Sequence, residues 1–176
     1  MSSVPILETP RLRLRGHTLA DLDASAAMWA NAEVTRFIGG KVSTREESWG
    51  RVLRMRGLWP LLGYGYWVFE ERATGKFVGE GGFADFHREM TPSFGDAPEQ
   101  GWALAPWAHG QGYATEAGGA ALAWADANLK RDFVCMIDPD NTRSQRVAAK
   151  FGYVEYERTT YKDDPIVLFR RPALSS

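Results

Sequence analysis

The chain has 176 residues, 44% hydrophobic and 24% charged, which suits one compact domain over residues 1–176 with a sizeable core. Its 21 basic and 22 acidic residues give a net charge of −1, so no basic field favours a nucleic acid or an anionic membrane as partner. The N-terminal segment lacks the apolar core of a signal peptide, and no window approaches the roughly 20 apolar residues that span a bilayer. We therefore expect a cytoplasmic protein.

Cysteine and histidine are scarce. Cys135 is the only cysteine, so it forms no internal disulfide, and His17, His87 and His109 lie at no metal-ligand spacing. These counts exclude a disulfide scaffold and a zinc finger, and we expect no metal.

The first half of the chain predicts one strand, two helices and a hairpin. Leu12 and Leu14 alternate with arginines, which is the period of a strand with one buried face. Thr18 and Asp21 form a capping pattern ahead of helically spaced apolar residues. The predicted elements are a strand over 12–15, a helix over 18–29, a loop over 31–42, a helix from Ser43 or Thr44 to about Gly57, and hairpin strands over 66–70 and 77–86.

The second half predicts strands that alternate with two further helices. Aromatic and β-branched residues indicate the strands, and alanines at helical spacing indicate the longer helix. The predicted elements are a loop over 87–98, a strand over 99–104, a helix over 113–128, a strand over 133–137, a helix over 141–151 ended by Gly152, and strands over 153–160 and 166–170.

A glycine loop joins the strand at 99–104 to the helix at 113–128. Gly110 and Gly112 can direct successive backbone N–H groups at one point, and the helix that follows adds its positive end, so the loop suits a phosphate. An ordinary tight turn is the alternative, because short glycine patterns are weak evidence. A nucleotide P-loop is excluded, since no Gly-Lys-Ser/Thr follows, and a dinucleotide fingerprint is excluded because Thr115 stands where its third glycine belongs.

His109-Gly110-Gln111-Gly112-Tyr113-Ala114 resembles the acyl-CoA loop of the GNAT superfamily of N-acetyltransferases, Gln/Arg-x-x-Gly-x-Gly/Ala, with histidine at the first position. A second stretch, from Asn141 to Ser144 and on to Lys150-Phe151-Gly152-Tyr153, resembles the Asn-x-x-Ser and Lys-x-Gly-Phe motifs of the same superfamily. The resemblance covers about Leu7 to Pro172 and is closest to the branch of ribosomal-protein N-terminal (alanine or serine) acetyltransferases.

The resemblance implies an α/β (α+β) fold: a mixed, mostly antiparallel sheet of six to seven strands, splayed centrally and flanked by about four helices. It implies acetyl-CoA as cosubstrate, bound in three places. These are the end of the fifth strand (Ala103, Leu104, Ala105), the glycine loop (His109, Gly110, Gln111, Gly112, Tyr113, Ala114, Thr115) and the start of the last helix (Asn141, Ser144). The N–H groups around Ala103 to Ala105 would polarise the thioester carbonyl. Asn141 also suits an ordinary helix cap, and His109 suits either phosphate contact or simple exposure.

Three residues are candidates for two catalytic roles. Glu99 would take the proton of the attacking amine, directly or through water, although a surface carboxylate at a strand entrance is the common alternative; Glu155 is the second candidate. The Ser144 hydroxyl would hydrogen-bond the thioester sulfur, because a serine is too weak an acid to do more. Cys135 lies in a predicted buried strand, which disfavours an acyl-cysteine intermediate.

The function expected from the resemblance is acetyl transfer to a primary amine by direct attack in a ternary complex. The acceptor would be a protein N-terminus or a small-molecule amine. The alternative is a CoA-binding sensor or partner module without catalysis. Edge strands near the C-terminus are compatible with a homodimer.

Overall fold

A computed structural model describes residues 4–174. Its strands are β1 (Leu7–Glu8), β2 (Leu12–Arg15), β3 (Tyr66–Glu71), β4 (Phe77–Ala84), β5 (Glu99–Leu104), β6 (Phe133–Ile137), β7 (Val154–Tyr161) and β8 (Asp164–Arg171). Its helices are α1 (Leu22–Trp29), α2 (Ala32–Thr35), α3 (Arg45–Leu62), α4 (Tyr113–Asn128) and α5 (Thr142–Lys150), with 3-10 turns at Leu19–Asp21 and Pro106–Ala108. No helix within 4–174 combines the length and the apolar character that crossing a membrane requires.

The strands form one sheet in the order β1-β2-β3-β4-β5-β6-β8-β7. Neighbouring strands are antiparallel except β5 and β6, which are parallel and pair only at Glu99 and Val134. The Val134 N–H donates to the Pro98 carbonyl at 3.1 Å, after which the two strands separate. The sheet is therefore splayed at its centre, beyond Glu99.

The core is built where α4 packs on the sheet. Ala117, Ala121 and Ala125 are fully buried along one side of α4, and their small size brings the helix close to the strands. Trp67 meets Trp59 and Trp124 edge to face, with ring centroids 4.6 and 5.3 Å apart. This packing holds α4, and with it the loop that precedes it, in a fixed position on the sheet.

The predicted fold class is confirmed; residues 4–174 form eight strands and five helices in place of six to seven strands and about four helices. The two-residue β1 and the four-residue α2 are too short to give a periodic pattern. The predicted end of α3 at Gly57 is wrong, because that glycine faces open space and is tolerated within the helix. The helix ends at Gly63, whose φ of +77° and N–H bond to the Trp59 carbonyl form the C-terminal cap.

Candidate active site

The loop between β5 and α4 presents a run of unused backbone donors. Gly110 and Gly112 adopt φ of +74° and +79°, and Gly112 is the N-cap of α4. Among the described residues, no protein acceptor bonds the N–H groups from Gly110 to Thr115. Successive free N–H groups at a helix N-terminus form an anion-binding cradle, which matches the doubly charged pyrophosphate of CoA.

Side chains from outside the loop hold this cradle in place. Arg11 on the β1–β2 turn donates to the Glu116 carboxylate at 2.6 Å and to the Gln111 carbonyl at 2.9 Å. The Gln111 side-chain amide donates to the Trp107 carbonyl at 2.7 Å. The Tyr113 hydroxyl donates to Glu71 at 2.5 Å. The side chains of Gln111 and Tyr113 therefore shape the loop, while their backbone N–H groups stay free.

The side chain of His109 also braces the loop. Its Nε2 lies 3.0 Å from the Leu104 carbonyl, and its Nδ1 lies 3.4 Å from the carboxylate of Glu33 in α2. The expectation of simple exposure is therefore wrong. The ring ties the loop to β5 and to α2.

At the end of β5, backbone groups point alternately to the two neighbouring strands. The Ala105 N–H donates to the carbonyl of Val78 in β4 at 2.8 Å. The N–H groups of alternate strand residues face the same neighbouring strand. The Ala103 N–H therefore also faces β4, whereas the N–H groups of Trp102 and Leu104 face the splay. Of the N–H groups around Ala103 to Ala105 that we expect to polarise the thioester carbonyl, those of Ala103 and Ala105 face β4, and the Leu104 N–H faces the gap.

Asn141 and Ser144 meet at the start of α5. The Asn141 Oδ1 accepts from the Ser144 N–H at 3.2 Å, so Asn141 is the helix cap that the sequence allows. Both residues line a cavity of about 440 Å³ that fills the splay. The Ser144 hydroxyl makes no hydrogen bond to another described residue, so it is free to contact a ligand there.

The same cavity extends from the splay toward α1, α3 and the α2–α3 loop. Its charged wall residues are Arg36, Arg51, Arg88, Glu99, Asp138, Lys162 and Asp164, and its aromatic wall residues are Trp29, Phe37, Tyr66, Phe86, Trp102 and Tyr161. The cavity thus joins Glu99 to Asn141 and Ser144, which lie more than 40 positions further along the sequence.

Glu99 is buried and held by one arginine. Only 6% of Glu99 is exposed, and its two carboxylate oxygens accept from Arg88 at 2.6 and 2.8 Å. Burial raises the pKa of Glu99, and the Arg88 guanidinium opposes that rise without cancelling it. A raised pKa brings the carboxyl closer to the range of an effective general base.

Glu155 lies away from this site. Its side chain is exposed on β7, pairs with Arg158 at 2.7 Å and does not line the cavity. The hydrogen bond from Arg158 lowers the pKa of Glu155, which weakens it as a base. Of the two candidate bases, only Glu99 lies with the other site residues.

Sequence reasoning missed a second buried carboxylate beside the cavity, that of Glu80. It is fully buried and accepts from the His17 Nε2 at 2.9 Å, from the Trp29 Nε1 at 3.1 Å and from Arg51. Burial alone would raise the pKa of Glu80, but Arg51 and His17 lower it to about 2. The available signal was an acidic residue inside the apolar, glycine-rich β4, where a charge must be paired. This cluster fixes Arg51 and Trp29 at the cavity wall.

The fold, the cradle and the splayed cavity together indicate an acetyltransferase that uses acetyl-CoA. Residues 11–154 match the sequence profile of the acetyltransferase (GNAT) domain, and the chain belongs to that family. Acetyl-CoA is accordingly its cosubstrate. The predicted family is confirmed.

Several known proteins are similar to this chain in sequence or in fold. Uncharacterized protein YkkB of Bacillus subtilis (strain 168) is 35% identical over 113 residues, and the match covers 62% of this chain and 63% of that protein. A putative GnaT-family acetyltransferase from Bordetella pertussis superposes with a TM-score of 0.84 at 28% identity, covering 96% of this chain and 99% of that one. RimL, a ribosomal L7/L12 alpha-N-protein acetyltransferase solved in complex with coenzyme A, shares the fold at 18% identity, with a TM-score of 0.76 and coverage of 96% and 98%.

Proposed function

We propose that this protein transfers the acetyl group of acetyl-CoA to the α-amine of a peptide or protein N-terminus. The observation that carries the proposal is the free N–H run of Gly110 to Thr115, placed at one end of the splay whose other end opens into the Glu99 cavity. CoA would lie with its pyrophosphate on the loop and its thioester between β5 and β6. Such a path brings the acetyl carbon beside Glu99 and Ser144.

The proposed reaction is direct. The neutral amine attacks the thioester carbon, a C–N bond forms, and the C–S bond breaks to release CoA as a thiolate. The Leu104 N–H supports the carbonyl oxygen as it gains charge, and the Ser144 hydroxyl donates to the departing sulfur. The proton lost by the amine passes to Glu99, directly or through water, and finally to solvent or the thiolate.

Charge at the cavity wall favours an α-amine over a polyamine. The cavity wall carries four basic side chains, Arg36, Arg51, Arg88 and Lys162, against the three acidic ones Glu99, Asp138 and Asp164. It therefore has no excess of negative charge to hold a polycation, and Glu99 is already paired with Arg88. An α-amine, with an ordinary pKa of about 7.7–8.0, is partly neutral at physiological pH and needs only a weak base. Glu99 meets that requirement.

Residues 1–176 would form one acyltransferase domain that works in the cytoplasm.

Calorimetric titration with acetyl-CoA tests the cofactor path. Gly112→Trp places a bulky side chain in the cradle, and we expect it to weaken binding at least tenfold, because it blocks the pyrophosphate and strains a left-handed position. Gly63→Trp is the matched control, since Gly63 has a similar φ of +77° at the end of α3 and should retain binding. Equal binding by both variants would contradict the proposed loop.

An acceptor panel then tests the reaction. The purified protein is incubated with acetyl-CoA and, separately, with N-terminal peptides, the same peptides with a blocked α-amine, and spermidine, and products are read by mass spectrometry. Acetylation of free α-amines alone supports the proposal. Acetylation of spermidine alone would show that the acceptor is a polyamine and not a peptide N-terminus. Acetyl-CoA binding without transfer to any amine would favour a CoA-binding module without catalysis.

A further inference from the structure

A row of two glycines and one tyrosine crosses the sheet beside the splay. Tyr66 in β3 pairs with Gly82 in β4, which pairs with Gly101 in β5. Paired residues point to the same face of a sheet, so the Tyr66 side chain shares its face with two positions that have no side chain. The ring can therefore extend across β4 toward β5.

Gly101 leaves room for the Tyr66 hydroxyl. A Cβ built on Gly101 would overlap the Tyr66 Oη and would lie 3.3 Å from the Cζ. Any larger residue at position 101 would displace the phenol. The absence of a side chain at Gly101 is thus what lets the hydroxyl reach the edge of β5.

The ring is held firmly, but its hydroxyl is not used by the protein. Tyr66 is only 5% exposed, packs with Met55 and Leu58 of α3, and meets Phe86 edge to face at 6.2 Å. Within residues 4–174 its hydroxyl makes no hydrogen bond, although it lines the 440 Å³ cavity and is not sealed from it. A rigid hydroxyl with free hydrogen-bonding capacity in a binding cavity is available to a ligand.

The position of this hydroxyl is the centre of the proposed reaction site. Along β5, Gly101 lies two residues after Glu99, where the strand has just parted from β6, and two residues before Ala103, which pairs with Glu80. Two residues span about 7 Å of strand. The hydroxyl therefore lies between the Arg88–Glu99 pair and the Arg51–Glu80 pair, at the opening of the splay. Burial raises its pKa, with Glu99 acting in the same direction, so the phenol stays protonated.

We propose that the Tyr66 hydroxyl hydrogen-bonds the acceptor amine and orients its lone pair toward the thioester carbon. This inference rests on the proposed amine acetylation and assigns a further catalytic residue to it. The hydroxyl oxygen accepts one N–H of the amine, no proton is transferred to it, and Glu99 remains the proton acceptor. Orientation of this kind accelerates transfer without changing the affinity for acetyl-CoA.

Tyr66→Phe tests the assignment, because phenylalanine keeps the ring and its packing. We expect kcat/KM for the acceptor peptide to fall 10-fold to 100-fold, the Kd for acetyl-CoA to stay unchanged and the pH at half-maximal rate to stay in place. Tyr64→Phe is the matched control, since Tyr64 is equally buried two residues earlier but belongs to the main core and does not line the cavity. Its kcat/KM should remain that of the unaltered protein.

A second pair of variants separates contact with the amine from a role in folding. Gly101→Ala should lower both the melting temperature and the transfer rate, because the new methyl group displaces the phenol. Adding Tyr66→Phe removes the overlapping atom, so the double variant should regain stability relative to Gly101→Ala but not activity. Recovery of activity in the double variant would overturn the assignment.

The assay also distinguishes this inference from the function on which it rests. Transfer by the unaltered protein that is undiminished in Tyr66→Phe would overturn the assignment of Tyr66 and leave the proposed function standing. Failure of the unaltered protein to acetylate any amine would overturn both. A shift of the pH profile in Tyr66→Phe would assign proton transfer to Tyr66 and also overturn the orienting role.

Discussion

At this site, the number of hydrogen-bond donors around a buried carboxylate decides the direction of its pKa shift. Glu80 and Glu99 are both buried on strands that flank the cavity. Among the residues that the structure describes, three side chains donate to Glu80, and its pKa falls to about 2. Only Arg88 donates to Glu99 there, and burial prevails to raise the pKa of Glu99. The same residue type is therefore a fixed structural anion in one strand and a candidate base in the next.

Removing the charge of Glu99 tests that difference. Glu99→Gln keeps the side-chain shape but leaves the amine without its proton acceptor, so we expect kcat to fall about 100-fold, as is typical for loss of a general base. The Kd for acetyl-CoA should not change, since Glu99 is not in the cradle. Steady-state kinetics with an acceptor peptide and calorimetry measure both quantities, and a thermal melt checks the effect of the lost Arg88 pair.

Glu155→Gln is the comparison for this measurement. Glu155 is exposed and paired with Arg158 outside the cavity, so the variant should turn over at the unaltered rate. A loss of kcat in Glu155→Gln together with normal turnover in Glu99→Gln would transfer the role of base to Glu155.

At the scale of elements, the start of α3 decides where Arg51 lies on the cavity wall. The helix begins with a capping box in which the Thr44 Oγ1 accepts from the Glu47 N–H at 3.2 Å, and the Glu47 carboxylate accepts from the Thr44 N–H at 2.7 Å. Seven residues later Arg51 reaches the cavity wall. The cap therefore fixes where α3 begins, and with it the side of the helix from which Arg51 reaches Glu80.

Thr44→Ala removes one half of this box. We expect a loss of about 1 kcal/mol in the free energy of unfolding, the usual effect of losing a side-chain cap, measured by urea denaturation. Ser43→Ala is the control, since the Ser43 side chain makes no hydrogen bond to another described residue and its removal should change stability far less. Equal losses in the two variants would contradict Thr44 as the cap, which the sequence left open between these two residues.

At the scale of the whole molecule, a charged cluster inside the sheet makes stability depend on pH. The pKa of Glu80 is lowered from its ordinary 4.5 to about 2, so the folded state favours the ionised form. That contribution to stability is fully present above pH 4.5 and is lost as the pH falls toward 2. By linkage it amounts to about 3 kcal/mol.

Glu80→Gln should lower the free energy of unfolding at pH 7 by about 3 kcal/mol and flatten its decline between pH 4.5 and 2. Denaturant melts at a series of pH values measure both changes. Glu157→Gln on the exposed β7 should leave the pH dependence intact. If the free energy of unfolding of Glu80→Gln still declined as steeply between pH 4.5 and 2, other carboxylates would govern the acid sensitivity.

The sequence by itself determined the local features of this protein. The alternation in β2, the alanine spacing of α4, the left-handed glycines of the loop and the Asn-x-x-Ser start of α5 each depend on residues a few positions apart. Short-range geometry settles such features, so their order along the chain was sufficient to predict the fold class and the family.

Only the tertiary structure decided which side chains meet. The pairing of Glu99 with Arg88, the burial of Glu80 beneath Arg51 and the reach of Tyr66 over Gly101 all join different elements of the chain. The same holds for the side toward which each β5 amide points, which depends on the strand that lies next to it. These contacts follow from strand order and register, and the chain sets those through the packing of the whole sheet rather than through any local pattern.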